Sequence, residues 1–267
     1  MKINIGIFGF GAIGQYLFRY IKENKNLNIS CKKILVKNIS KYQSLNLEEI
    51  TDDIERFFLD KIDYVVECAG HQSVIEHGQK VLKNGSHFII TSIGSLTDES
   101  LLKKLRELSV KYSKQIIIPS AGIGSLDILS AASQGQLTEV EMTVRKSSGS
   151  WIGTIAEDQF NLNKYNKDLL LFEGSVKEGA KLYPQNVNIA AAVAFAGIGL
   201  DKTKLKIYSD SSISTHIISI KAKGDFGEYS FTENVAPSDE NEKTGKIVSL
   251  ALIKTLKNLT SNFIVGN

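Results

Sequence analysis

The sequence predicts an α/β fold: an N-terminal doubly wound parallel sheet with a second α+β domain. Three observations predict it. Short apolar runs alternate with amphipathic helical stretches from the N-terminus to Pro119, a glycine-rich turn joins the first run to the first helix, and after residue 125 the pattern changes to longer strands. Strands that alternate with helices require right-handed crossovers, which place the strands side by side and parallel.

Residues 3–8 are a mostly apolar run that ends in glycine, as expected of a strand buried on both faces. From 12 to 22 the spacing turns helical, with Ile13, Tyr16, Leu17, Tyr20 and Ile21 on one face. Residues 31–36 are the next strand, 52–59 a short helix and 64–68 a further buried strand. Residues 74–82 are amphipathic and stop at Asn84-Gly85; 87–90 is a strand, 100–112 a charged helix and 115–118 the last strand of this region. Beyond it, 139–146, 204–208, 215–223 and 228–232 are expected to be strands, the last two joined by the turn Gly224-Asp225-Phe226-Gly227. An alanine-rich helix occupies 189–196, and 243–256 is a final amphipathic helix suited to packing back on the first domain. The expected division is 1–124, 125–238 and 239–267.

Composition narrows the function classes. The chain has 267 residues, 42% of them hydrophobic and 23% charged, as in ordinary globular proteins. A net charge of +3 from 32 basic and 29 acidic residues, without a basic run, gives no case for nucleic acid or an anionic membrane. No stretch of about 18 apolar residues is present to span a bilayer. Glycines interrupt the apolar N-terminus, which also lacks a signal-type cleavage site. Cys31 and Cys68 lack metal or disulfide spacing, so the expectation is free thiols, a cytoplasmic location and no metal.

Gly9-Phe10-Gly11-Ala12-Ile13-Gly14 is a GxGxxG sequence in its required context, after a strand and opening a helix. The glycines allow a tight turn, close approach of a pyrophosphate and close helix–strand packing, and the helix start offers unpaired N–H groups to phosphate. This is the signature of a Rossmann-type domain binding NAD or NADP. The carboxylate that usually holds the ribose 2′-hydroxyl is missing, since no acidic residue occurs between Glu23 and Glu48. Lys37, Ser40 and Lys41 at the end of the second strand favour a 2′-phosphate and hence NADP; the alternative is solvated lysines with Asn38 on the 2′-hydroxyl.

Several stretches together resemble the L-aspartate dehydrogenase family. They are the GFGAIG loop, Glu67-Cys68-Ala69-Gly70, the segment 120–127 (similar to SGAIGGLD), Arg145-Lys146, Glu173-Gly174 with 183–192 (similar to EG…FPxNVNVAA), Thr215-His216, and 241–245 (similar to NPKTS). This chain departs by reversing glycine and alanine at Ala121-Gly122, by losing the proline of NPKTS and by lacking the ribose acid.

The resemblance implies oxidative deamination of L-aspartate to iminoaspartate, then oxaloacetate and ammonia, with His216 as the acid/base. It implies Ala69, Gly122 and Asn186 on the cofactor. Arg145, Lys146 and Asn188 are candidates for the substrate carboxylates, although neighbouring strand residues cannot easily both face one ligand. A homodimer through the open sheet of the second domain is expected, because an uncovered face needs a partner. Pyridine nucleotide biosynthesis is one of several pathways such a reaction serves. Of the other histidines, His71 caps a loop or approaches the nicotinamide, His77 is expected at the surface and His87 in solvent. The rival readings are a dehydrogenase of another small substrate such as homoserine, and a sensor of NAD(P)H without turnover. An acylating semialdehyde dehydrogenase is disfavoured, because Cys68 has no activating neighbour in the sequence.

Overall fold

The computed structural model describes residues 2–120, 122–162, 168–184, 187–238, 241–245 and 247–266. They form two compact units, Met1–Pro119 with Ser249–Asn267, and Ser120–Val248.

The first unit is built on β1 (Ile3–Phe8), β2 (Ile29–Leu35), β3 (Ile50–Thr51), β4 (Tyr64–Glu67), β5 (His87–Ile90) and β6 (Ile116–Ile117). They pair in the order β3-β2-β1-β4-β5-β6, all parallel. The chain reverses direction across the sheet at β1, the switch point beside which open α/β sheets bind ligands. Helices α1 (Ala12–Glu23), α2 (Ile54–Phe57), α3 (His71–Lys83) and α4 (Glu99–Lys111) form the crossovers. The short β3 is an addition to the strands expected from sequence.

Central β1 is buried throughout its apolar positions, including Ile5, Ile7 and Phe8. The face of α1 that meets the sheet carries Gly14, Leu17, Phe18 and Ile21, the helical spacing the sequence shows. Asp98 caps α4 by accepting from the Ser100 and Leu101 backbone N–H groups at 2.8 and 3.1 Å.

The second unit holds α5 (Leu126–Ala132), β7 (Leu137–Lys146), α6 (Ile155–Gln159), β8 (Leu169–Ser175), α7 (Val176–Leu182), α8 (Asn188–Ala196), β9 (Lys204–Ser209), β10 (His216–Gly224) and β11 (Gly227–Val235). The strand order is β11-β10-β7-β9-β8, with β7 and β9 parallel and the other pairs antiparallel. The β10–β11 hairpin closes at the Gly224–Gly227 pair, where Gly227 has φ 106°.

Along β7 the side chains alternate, and Val140, Met142 and Val144 join Leu129, Ala190, Val193, Leu205, Ile207, Ile218 and Ile220 in one core. The opposite face is polar and paired with itself. Lys204 meets Glu139 at 2.8 Å, Lys206 meets Glu141 at 3.0 Å and Glu173 at 3.5 Å, and the Ser219 and Thr232 hydroxyls lie 2.9 Å apart. Leu170, Tyr208 and Ile217 are the apolar residues on this face, and Leu170 is 40% exposed.

The last segment differs from expectation at its start. Asn241–Gly245 is a strand, β13, paired with β12 (Pro237–Ser238), and the final helix α9 spans Ile247–Thr260. Cross-strand pairing claims 243–245, and the helix begins where the continuous apolar pattern begins. In α9, Leu252, Ile253 and Leu256 enter the core of the first unit with Ile5, Leu17 and Ile21.

Leu252 is fully buried. Leu252→Ala is expected to cost about 2–5 kcal/mol. Urea denaturation followed by tryptophan-independent probes of the first unit, such as bound dinucleotide, reads the loss; an unchanged midpoint would place α9 outside that core.

Candidate active site

The glycine loop leaves β1 at Gly9, whose φ of 89° and tight surroundings both require glycine. A Cβ there would lie 2.7 Å from the Cys68 carbonyl oxygen. One on Gly14 would lie 2.3 Å from the Gly9 carbonyl oxygen, so α1 can start this close to β1 only without a side chain. Gly11 is different: a Cβ built on it meets nothing within 4 Å. Gly11 is also the N-cap of α1 and brings no side-chain hydrogen bond to the helix start. The first N–H groups of α1 thus face a space that glycine keeps open, as a pyrophosphate requires. Ala12 and Ile13 follow in the first turn, where Ile13 packs against the apolar core rather than toward the open side.

Beside this loop β2 ends in exposed Lys37 and Asn38, and the Gly9 N–H donates to the Leu35 carbonyl at 2.8 Å. The Asn38 Oδ1 accepts from the Ser40 N–H at 2.9 Å and from its hydroxyl at 2.5 Å. Asn38 thereby caps a turn, and the exposed cations Lys37 and Lys41 flank it. The segment that follows β2 carries no carboxylate before Glu48.

On the other side of β1, the sequence did not single out Glu67, yet its side chain is fully buried at the end of β4. Its Oε1 accepts from the backbone N–H groups of Ala69 and Gly70 at 2.7 and 2.8 Å and from the Ser92 hydroxyl at 2.9 Å. Its Oε2 accepts from the N–H groups of Thr91 and Ser92 at 3.2 and 2.9 Å. One carboxylate therefore ties together the loops after β4 and β5, at the end of the sheet where the glycine loop lies. Its sequence signals were an acidic residue closing an apolar run and its place at the head of the Glu67-Cys68-Ala69-Gly70 stretch. Ala69 is held by this clamp, and α3 begins with His71 after Gly70, whose φ is 105°.

In the second unit the apolar face of the sheet ends in a polar row. Ile217 pairs with Arg145, so the next residues, His216 and Lys146, lie across from each other on the covered face. Lys146 in turn pairs with Ser209. His216 is 7% exposed, Lys146 8% and Ser209 2%. One step inward, Ile218, Val144 and Ile207 are apolar and buried. Burial, and secondarily the Lys146 charge, lower the His216 pKa to about 4, so the imidazole is neutral at pH 7. The Lys146 ammonium also lies 5.8 Å from the Trp151 ring centroid.

Arg145 does not share that face. Its guanidinium pairs with Asp168, lies 3.8 Å from Asp210 and stacks 4.2 Å over the Tyr208 ring. The structure brings His216 and Lys146 together and commits Arg145 to a separate ion-pair cluster, as strand alternation demands. A cavity of about 510 Å³ near the Ser148–Trp151 turn is lined by Ser148, Gly149, Ile152, Glu157, Asp158 and Asn161, and its two acids make it a poor receptor for a dicarboxylate. Asn188 opens α8, half-buried, and Gly122 is buried close against Ile189, where a Cβ would lie 3.3 Å from that side chain. Asn186 lies outside the described residues.

Two of the other histidines depart from expectation. His77 is packed edge-on against Phe8, ring centroids 5.7 Å apart, and burial lowers its pKa. His87 stacks on Tyr64 at 4.6 Å and its Nδ1 accepts from the Gln115 N–H at 3.1 Å; burial lowers its pKa too. Neither is a freely solvated histidine, because aromatic partners distant in sequence cover their rings. Burial raises the Cys68 thiol well above its ordinary pKa, with Glu67 adding to the effect, and burial pushes Cys31 up to about 12. Neither cysteine is an activated nucleophile.

Known proteins match each of the two units. Residues 9–119 match the family model "Homoserine dehydrogenase, NAD binding domain", and residues 127–259 match "Aspartate dehydrogenase, C-terminal". The L-aspartate dehydrogenase of Methanococcoides burtonii is 31% identical over 272 residues, covering 99% of both chains. The chain belongs to the L-aspartate dehydrogenase family. The enzyme of that name from Cupriavidus necator is 35% identical over 196 residues, 73% of this chain and 74% of that one. Among solved structures, aspartate dehydrogenase from Thermotoga maritima superposes with a TM-score of 0.77 at 24% identity, with full coverage of both chains. A homoserine dehydrogenase from S. aureus shares the fold more distantly, with a TM-score of 0.58 at 17% identity, covering 99% of this chain and 80% of that one. The first unit is accordingly a nicotinamide dinucleotide domain, and the cofactor is NAD or NADP.

Two loop variants separate the glycine roles. Gly11→Ala is expected to leave thermal stability unchanged and to weaken NADH binding by about tenfold or more, about 1.4 kcal/mol. Gly14→Ala is expected to lower stability as well. Fluorescence titration with NADH and a melting curve check both; equal behaviour of the two variants would contradict the assignment.

Proposed function

We propose that this chain oxidises L-aspartate to iminoaspartate, which water hydrolyses to oxaloacetate and ammonia, in a reversible reaction dependent on NAD or NADP. The observation that carries the proposal is the buried Lys146–His216 row at the end of an apolar sheet face, in a chain of this family. L-Aspartate brings two carboxylates and an ammonium group. Lys146 supplies the cation for a carboxylate in a water-poor setting, where such a pair is strong. His216, neutral at pH 7, takes a proton from the substrate ammonium and leaves the amine whose lone pair drives hydride departure. A nicotinamide held by the first unit would supply the acceptor for the hydride leaving Cα. His216 releases that proton to solvent, takes one from the water that adds to the iminium carbon and returns it to the nitrogen, which leaves as ammonia while the hydroxyl proton passes to solvent. Asn188, at the start of α8, is the proposed amide donor to the substrate, and Gly122 with Asn186 the proposed contacts to the nicotinamide end.

The strand-end cations support acceptance of NADP. An acid at the end of β2 would repel a 2′-phosphate; here Lys37 and Lys41 attract it. Lys37→Glu is expected to weaken NADP binding at least about tenfold, or 1.4 kcal/mol, while changing NAD binding little. Parallel titrations with both cofactors measure this, and an equal effect on the two would remove Lys37 from 2′-phosphate recognition.

Turnover is tested by absorbance of the reduced cofactor with L-aspartate, homoserine and either NAD or NADP. Reduction that requires L-aspartate is expected, with kcat about 10²–10⁴ lower in His216→Ala and NADH affinity unchanged. A flat trace with L-aspartate but reduction with homoserine would replace the substrate and keep the reaction class.

A further inference from the structure

We propose that Glu233 is the carboxylate that recognises the substrate's α-ammonium group, one ladder step from His216 on the same face of the sheet. This rests on the reading of L-aspartate as substrate and assigns a partner to its cationic group, for which Lys146 and the neutral His216 supply no negative charge.

The placement comes from the register of the hairpin. His216 pairs with Val235 and Ile218 with Glu233, so His216 and Glu233 are diagonal neighbours on the covered side. Such pairs lie roughly 7–8 Å apart, within reach of long side chains through one small ligand group. The glutamate's own bonding is incomplete. Its Oε2 accepts from the Gly124 N–H at 3.3 Å, while Oε1 is buried with no hydrogen-bond partner among the described residues. No ion pair with Glu233 occurs among the described residues, and burial raises its pKa.

The strand cannot easily turn Oε1 elsewhere. Gly124 lies so close to β11 that a Cβ on it would come 2.5 Å from the Phe231 ring, which fixes the loop against the strand and Glu233 against the loop. A buried carboxylate oxygen without a donor is costly, and that cost is recovered when a ligand brings a charged N–H group. An ammonium group meets this need, with positive charge and several donors. The row then offers one carboxylate, one lysine and one neutral imidazole to a ligand carrying one ammonium and two carboxylates.

The test compares L-aspartate with succinate, the same dicarboxylate without the amine, binding to NADH-saturated protein by calorimetry. Saturation with reduced cofactor prevents turnover. Wild type is expected to prefer L-aspartate. Glu233→Gln is expected to weaken L-aspartate about tenfold or more while succinate stays within about twofold. Glu233→Asp, which keeps the charge on a shorter arm, is expected to retain part of the preference. Equal losses for both ligands would show a structural role and overturn the proposal, as would an unchanged preference in Glu233→Gln or no preference in wild type. A wild type that prefers L-aspartate but never reduces cofactor would defeat the proposed reaction and leave ammonium recognition standing.

Discussion

A lysine and a histidine share the buried end of an apolar sheet face, and the chemistry available to this chain follows from that pairing. Neither side chain would be expected there on hydrophobicity alone. The β7 alternation that buries Val140, Met142 and Val144 carries Lys146 to the same face, and β10 brings His216 opposite it. Withdrawal from water and the adjacent ammonium act in the same direction on the imidazole, and both disfavour its protonated form. A dianionic ligand would reverse the second effect by neutralising the lysine. The site is therefore suited to a histidine that is a base when empty and a stronger one once a dicarboxylate has arrived.

The first unit uses backbone where the second uses side chains. Its glycine loop clears space at the start of α1, and the Glu67 carboxylate gathers four backbone N–H groups and a hydroxyl from two loops. Such a carboxylate is buried without a cation and is satisfied by amide dipoles. Its consequence is to hold the ends of β4 and β5 in one arrangement beside β1. The glycines and Glu67 together make the dinucleotide side a preformed surface.

Legibility in the sequence followed the range of the interactions. The parallel sheet was readable because apolar runs and helical spacing are local, and the GFGAIG loop was readable because its three glycines each meet a steric demand within a few residues. β8 was not, although Leu169-Leu170-Leu171-Phe172 is an apolar run like those of the first unit; it is an edge strand that pairs only with β9. The start of α9 was placed too early because Asn241–Gly245 is claimed by pairing with Pro237–Ser238. His77 and His87 were taken as solvated because their covering rings, Phe8 and Tyr64, are distant in sequence. Glu67 was missed for the same reason, with two of its donors on the loop after β5, and Glu233 because only the register of the hairpin shows which face it occupies. His216 itself came from resemblance; its neighbours Lys146 and Ser209 became a row only once three strands were aligned.

The central claim, that His216 is held neutral by burial beside Lys146, is tested most directly by nuclear magnetic resonance of the chain labelled in its histidine rings. Spectra of the ligand-free protein are compared at neutral pH and at about pH 5.5, a unit below the ordinary histidine value. The account predicts that the His216 ring remains neutral at the lower pH, because its pKa is lowered to about 4. A His216 signal already protonated there, with a midpoint at or above the ordinary value, would contradict it.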